Sequence, residues 1–88
     1  MAHHKSALKR IRSNERKRVA NRIVLARSRT FVKKATAAIS DGDAQAAREA
    51  TLAAIRHLDK AVTKGVVHKN TAARKKSHLM KRLNALSQ

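Results

Sequence analysis

The sequence contains no cysteine, proline, tryptophan or tyrosine, and Phe31 is its single large aromatic residue. Without cysteine, disulfides and thiolate metal sites are excluded. Without aromatic side chains, the chain lacks both the platforms on which single-strand binders stack bases and the aromatic RNA-recognition sheet motif. No apolar run approaches the roughly 20 residues that a membrane-spanning helix needs. The sequence therefore disfavours disulfide-stabilised proteins, thiolate metalloproteins, nucleic-acid binders that stack bases on aromatic side chains, and membrane-spanning proteins.

Acidic residues are also scarce, since 22 Lys and Arg face only 5 Asp and Glu and give a formal net charge of +17. Repulsion on that scale opposes a compact state. An 88-residue chain buries only about 60% of its unfolded surface, so its core is thin. A polyanion that binds the folded form would offset the repulsion by mass action. We therefore expect one small domain over residues 1–88 with an acidic partner.

The charge is unevenly distributed along the chain. Residues 1–34 carry a net charge of +11, residues 35–63 carry −1, and residues 64–88 carry +7. A run of charge is often only a solvated surface, but such surfaces normally mix signs. The pattern favours a polyanion, and because zinc-finger spacing and a leucine zipper are missing, it favours Arg and Lys contacts to phosphates. Folded RNA and bent duplex DNA both fit.

Gly42 and Gly65 are the strongest breaks in a chain otherwise rich in Ala, Leu, Lys and Arg, which favour helix. They predict an all-α, three-helix bundle with helices near residues 5–40, 44–64 and 68–86. Asp43 is the expected N-cap of the second helix, and Gly65 the left-handed residue after its end.

Helical wheels assign an apolar face to each segment. In the second segment it consists of Ala44, Ala47, Ala50, Ala54, Ile55, Leu58, Ala61 and Val62. In the third it consists of Ala72, Ala73, Leu79, Met80, Leu83 and Leu86. Lys76 interrupts that third face, and we expect its ammonium group to reach outward.

The first segment has two halves of different character. Its second half has an apolar stripe formed by Val24, Phe31, Val32, Ala35, Ala38 and Ile39. Its first half has only Leu8, Ile11 and Val19 among cations that point in nearly every direction. A first helix of about 52 Å beside a second of about 30 Å would extend beyond the bundle by about 20 Å. We call residues 1–22 the basic arm.

Five histidines invite a metal or general-base interpretation, but they are scattered over all three segments: His3, His4, His57, His68 and His78. We expect His57 to be solvated on the outer face of the second helix, and His68 to contact phosphate among the cations of its helix start. The sequence also lacks a glycine-rich phosphate loop and a nucleophile elbow. We therefore expect no enzyme, cofactor, metal or small-molecule substrate.

Two stretches carry a resemblance to a known family: KSALKRIRSNERKRVANR at residues 5–22 and KGVVHKNTAARKKSHLMKRLN at residues 64–84. Both closely resemble the family of bacterial small-subunit ribosomal proteins numbered twenty, and the similarity continues through SDGD and LDKAVTKG. The resemblance implies a three-helix bundle in the cytoplasm that binds small-subunit ribosomal RNA directly and early in assembly. It implies contacts with the 5′ domain and the long helix of the 3′ minor domain, and few or no contacts with proteins.

The resemblance also implies individual RNA contacts. In the first helix they are Lys5, Ser6, Lys9, Arg10, Arg12, Arg16, Arg18, Asn21 and Arg22. Around the start of the third helix they are Lys64, His68, Lys69, Asn70, Arg74, Lys75, Lys76 and Ser77. Charge and position add Lys17, Arg27, Arg29, Lys81 and Arg82. His78 departs from the pattern, since we expect Arg or Lys there.

Composition alone permits other interpretations. The leading alternative is a nucleoid-type protein that binds and compacts DNA. The Arg-rich, Ser-containing N-terminus is also typical of a mitochondrial transit peptide, although its removal would discard half of the charge. A cationic membrane-surface helix is disfavoured, because the cationic half has few large apolar residues and no Trp.

Overall fold

The computed structural model describes the backbone of residues 2–87 and the side chains of residues 6–86. Three helices follow one another: α1 (Ala2–Asp41), α2 (Ala44–Thr63) and α3 (Lys69–Ser87). No strand occurs within residues 2–87. The expectation of an all-α, three-helix protein is confirmed, and the helix boundaries differ from the expected ones by at most three residues.

Both glycines adopt the left-handed conformation that ends a helix. Gly42 has φ +83° and Gly65 has φ +74°. After α2, the N–H of Gly65 donates to the carbonyl of Val62 and the N–H of Val66 donates to the carbonyl of Ala61, each at 2.9 Å. This pair of bonds is the Schellman motif, which satisfies carbonyls left free at a helix end. The predicted role of Gly65 is confirmed.

Asp43 begins α2 as its N-cap. Its backbone is extended, and its Oδ1 accepts hydrogen bonds from the N–H groups of Gln45 at 3.1 Å and Ala46 at 3.2 Å. These bonds satisfy two donors that an uncapped helix would leave free. Because only Gly42 and Asp43 separate the two helices, α2 must turn back along α1 as an antiparallel partner.

The helices pack through narrow seams whose residues recur at alternating intervals of three and four, as in coiled coils. The α2 seam is fully buried and consists of Ala47, Thr51, Ala54, Leu58 and Ala61. The α1 seam consists of Leu25, Ser28, Val32, Ala35 and Ile39, which are buried or half-buried. The α3 seam consists of Ala72, Lys76, Leu79, Leu83 and Leu86, also buried or half-buried. Small residues fill four of the five positions of the α2 seam, so the central helix contributes little apolar area to stabilise the fold.

Several positions expected in the core lie outside it. Ala44 and Ala73 are exposed, and Met80 keeps 39% of its area exposed. A three–four seam is narrower than the face that a helical wheel assigns, so residues on its flanks stay in solvent. Conversely, Ser28 and Thr51 are fully buried, although neither belongs to the apolar faces expected from the sequence.

His57 is not on the outer face of α2, so that expectation is wrong. The residue is half-buried, and its ring stacks on Phe31 of α1 with the centroids 3.9 Å apart and the planes inclined by 13°. The Nζ of Lys34 lies 5.0 Å from the centroid of Phe31. Phe31 therefore reaches past the α2 seam to the flank that carries His57, a contact that a wheel of a single helix does not contain.

The molecule is long, with dimensions of 68 × 21 × 13 Å. The 40 residues of α1 span about 60 Å, whereas the 20 residues of α2 span about 30 Å. The overhang of α1 is therefore about 30 Å, greater than the expected 20 Å because α1 begins at Ala2 and ends at Asp41.

Replacement of Leu58 by Ala should destabilise the protein strongly. Leu58 is completely buried, so its truncation leaves a cavity and should lower the free energy of unfolding by about 2–5 kcal/mol. Leu52→Ala is the matched control on the same helix, since Leu52 is 48% exposed and should lose about 0.5 kcal/mol or less. Urea unfolding measures both, and equal losses would contradict the proposed core.

Candidate nucleic-acid interface

Every side chain from Ser6 to Ile23 is exposed, so this part of α1, which includes the described part of the arm, is a cationic helix that does not pack on the bundle; we call residues 6–23 the cationic rod. The candidate contacts on α1 whose side chains are described are all exposed: Ser6, Lys9, Arg10, Arg12, Arg16, Lys17, Arg18, Asn21, Arg22, Arg27 and Arg29. The side chain of Lys5 lies outside the described residues. The arm differs from the rest of α1 because neither α2 nor α3 runs beside it.

The cations of the arm surround its axis. Successive residues of an α-helix are rotated by about 100°, which places Arg12 about 160° from Arg10 and Arg18 about 120° from Arg12. Lys9, Arg16 and Lys17 lie between these directions. A rod that is charged on all sides suits insertion between two polyanionic surfaces better than docking on one.

One acid interrupts the charge of the arm. The Nη2 of Arg18 donates to both carboxylate oxygens of Glu15, at 2.7 and 2.6 Å. The hydrogen bond to Glu15, together with the attraction between the two charges, raises the pKa of Arg18 above its ordinary value. Within residues 6–22, the other cations form no ion pair. Both side chains of the pair remain more than half exposed, so its effect is to restrain the guanidinium rather than to stabilise the fold.

His68 begins α3 as its N-cap, which moves the start of the helix to Lys69. The Nδ1 of His68 accepts a hydrogen bond from the N–H of Asn70 at 3.1 Å, and its carbonyl accepts from the N–H of Ala72 at 3.1 Å. A ring nitrogen that accepts a hydrogen bond carries no proton, so Nε2 is the ring nitrogen left to donate. Since His68 is exposed, the Nε2–H group can donate to a ligand while Nδ1 caps the helix.

The remaining candidates follow the turn and the outer side of α3. Those that are exposed are Lys64, Lys69, Asn70, Arg74, Ser77, Lys81 and Arg82. Lys75 and Lys76 are half-buried. The Nζ of Lys76 pairs with Oδ1 of Asp59 on α2, so its head group reaches a carboxylate rather than open solvent.

The fold brings the turn after α2 close to the base of the arm. Because α2 runs back along α1, the 20 residues of α2 return to about the level of Arg22 on α1. The turn with Lys64 and the cap at His68 follow immediately. The arm and the start of α3 therefore meet at one end of the bundle, which we call the cationic end (residues 6–29 and 64–75). Lys81 and Arg82 lie farther along α3 and are not part of it.

Within the described part of the chain, no three His, Cys, Asp or Glu side chains gather where they could hold a metal ion. None of the described helices has the length and apolar character needed to cross a membrane.

Fold and surface together define the class: a small, highly basic, all-α protein with an exposed cationic helix. Residues 2–84 match the model of the family described as Ribosomal protein S20. The chain therefore belongs to the ribosomal protein S20 family.

Individual relatives agree over nearly the whole chain. A protein from Geobacter metallireducens is 50% identical over 86 residues, which cover 98% of this chain and 99% of the relative. A protein from Halalkalibacterium halodurans is 46% identical, with 98% and 94% covered. One from Thermomicrobium roseum is 49% identical, with 98% and 87% covered. Each is named small ribosomal subunit protein bS20.

In the free protein, we expect amide hydrogens of the arm to exchange much faster than those of the bundle. Residues 6–22 lack a packing partner and their charges repel one another, so the helix there opens locally. Exchange should be slow from Val24 to Ile39 and in α2. Equal protection in the arm and the bundle would contradict this.

Replacement of His68 should reveal its capping role. His68→Ala removes the acceptor for the N–H of Asn70 and should lower the free energy of unfolding by about 1 kcal/mol. His68→Asn supplies another side-chain acceptor and should restore most of that loss. Urea unfolding of both variants tests the cap, and an unchanged His68→Ala protein would refute it.

Proposed function

We propose that this protein is a structural constituent of the small ribosomal subunit in the cytoplasm, binding small-subunit ribosomal RNA directly and without catalysis. Membership of the S20 family and the names of the relatives support the place in the subunit. The observation that carries direct RNA binding is the cationic rod from Ser6 to Ile23, whose side chains are all exposed. A packing role within the protein cannot account for such a rod.

The protein bridges RNA helices because it offers cations in more than one direction. The arm presents Arg and Lys around its whole circumference, and the start of α3 presents a further set beside the base of the arm. Arg side chains donate paired hydrogen bonds to phosphate oxygens, whereas Asn and Ser add shorter contacts. Neutralising phosphates of two helices at once allows the helices to approach each other.

The family resemblance supports an assignment of the RNA regions that this protein binds. We assign the contacts to the 5′ domain and to the long helix of the 3′ minor domain, with few or no contacts to other proteins. The contact set is the exposed candidates on α1 and α3, together with Lys64 and His68 between α2 and α3, and with Lys5 and Lys75. Lys76 has a different geometry because its ammonium group is already paired with Asp59.

Binding should distinguish folded small-subunit RNA from DNA. We expect a transcript of the 5′ domain to bind more tightly than random duplex DNA at matched salt, because placement of the two cationic surfaces requires a particular RNA shape. A salt titration of both ligands measures this, since log affinity falls with log salt by roughly 0.9 for each neutralised duplex phosphate. Equal affinity for both would favour the nucleoid-type alternative.

A pair of variants extends the same titration. Arg16→Ala removes an exposed cation of the arm. It should reduce the magnitude of the salt slope, which is the slope of log affinity against log salt concentration, by roughly 0.7–0.9. Arg48→Ala removes an exposed cation from α2, outside the proposed interface, and should leave the slope unchanged.

A further inference from the structure

An ion pair joins α2 to α3. The Nζ of Lys76 contacts Oδ1 of Asp59, and the two side chains remain 35% and 54% exposed. Within residues 6–86, it is the only ion pair between different helices, since the pair of Arg18 and Glu15 lies within α1. Its location on the helix that carries candidate RNA contacts gives it a bearing on function.

Lys76 lies at a seam position of α3, where helix packing normally places an apolar side chain. It lies in the α3 seam between Ala72 and Leu79, both of which are buried. A polar residue in such a seam lowers stability but selects one register, because only one alignment of the helices gives it a partner. A slip of α3 by one turn would move Lys76 by about 5.4 Å and separate it from Asp59.

The position of Asp59 also requires an explanation. It lies four residues before the end of α2 at Thr63, far from the first turn, where a carboxylate would be stabilised by the helix dipole. In a protein with a net charge of +17, a carboxylate also weakens attraction to any polyanion. Neither the helix nor the binding of RNA favours an acid here, whereas Lys76 does.

We infer that Asp59 is a positioning residue for the RNA-binding surface of α3. By holding Lys76, it fixes the axial register and rotation of α3 on α2, and with them the directions in which Arg74 and Lys75 point. Lys76 then belongs to an ion pair with Asp59 that holds α3 on α2, which we call the interhelical pin, and it does not contact phosphate. This inference rests on the proposed function, because it concerns presentation of the same surface.

The first test uses a variant for which charge and positioning predict opposite results. Asp59→Asn raises the net charge to +18, so long-range attraction alone would tighten binding of a 5′-domain transcript. Loss of the pin should instead weaken binding, roughly three- to tenfold, as for other residues that act through a neighbour. Glu49→Gln is the matched control, because it changes the charge equally on an exposed residue of α2 and should not weaken binding. Unchanged or tighter binding by Asp59→Asn overturns the inference.

The second test separates a pin from a phosphate contact. Lys75 and Lys76 are adjacent, half-buried and equal in charge. Lys75→Met should lower the salt slope by roughly 0.7–0.9, whereas Lys76→Met should reduce affinity without lowering the slope. A slope reduced equally by Lys76→Met would show that Lys76 contacts phosphate, and the inference would fall.

The third test does not depend on RNA. Asp59→Lys and Lys76→Glu should each lower the urea midpoint, and the double variant with the pair reversed should recover much of that loss. If the effects of Asp59→Lys and Lys76→Glu on stability simply add, the two residues do not interact and the pin is overturned. If they do interact but Asp59→Asn leaves RNA affinity unchanged, the positioning role of Asp59 is overturned. Failure of the wild-type protein to bind the transcript would refute the proposed function instead, while the cycle would still decide whether the pin exists.

Discussion

Repulsion among unpaired cations is the constraint on which the architecture depends. Of the 22 Lys and Arg residues in the chain, only Arg18 and Lys76 form ion pairs within the described part. A compact globule would concentrate the remaining charges at short range. The fold avoids this by extending half of α1 away from the bundle and by placing the nearly neutral α2 against both other helices. Separation of charge, rather than its neutralisation, is what makes the free fold possible.

The same constraint explains the modest core. Ala, Ser and Thr fill most of the α1 and α2 seams, and the hydroxyl of the fully buried Thr51 has no hydrogen-bond partner among the described residues. Such a core offers limited apolar burial to oppose the repulsion. A polyanion that binds the folded state would lower the repulsion and stabilise the fold in the same step. Binding of such a polyanion would therefore be thermodynamically linked to folding.

Local features were predictable from the sequence because their causes lie within a few residues. The cap at Asp43 needs only an acceptor before a helix, and the end of α2 needs only a residue that tolerates positive φ, which Gly65 supplies. The exposed arm follows from missing apolar residues. The stack of Phe31 on His57 and the pair of Lys76 with Asp59 were missed, because each depends on how two helices are aligned. A helical wheel also placed Met80 in the core, although the residue is exposed. A wheel shows the direction of a side chain but not how much of that face the neighbouring helix covers.

The acidic residues are consequently more informative than the basic ones. A carboxylate close to a surface that binds a polyanion opposes that binding, so its presence there calls for another role. Asp43 caps α2, Glu15 restrains Arg18, and Asp59 holds Lys76. Asp41 and Glu49 lie toward the turn between α1 and α2, at the end of the bundle away from the arm. The exposed basic residues form the surface that we propose for RNA, whereas Glu15 and Asp59 each hold one cation in place within the free protein.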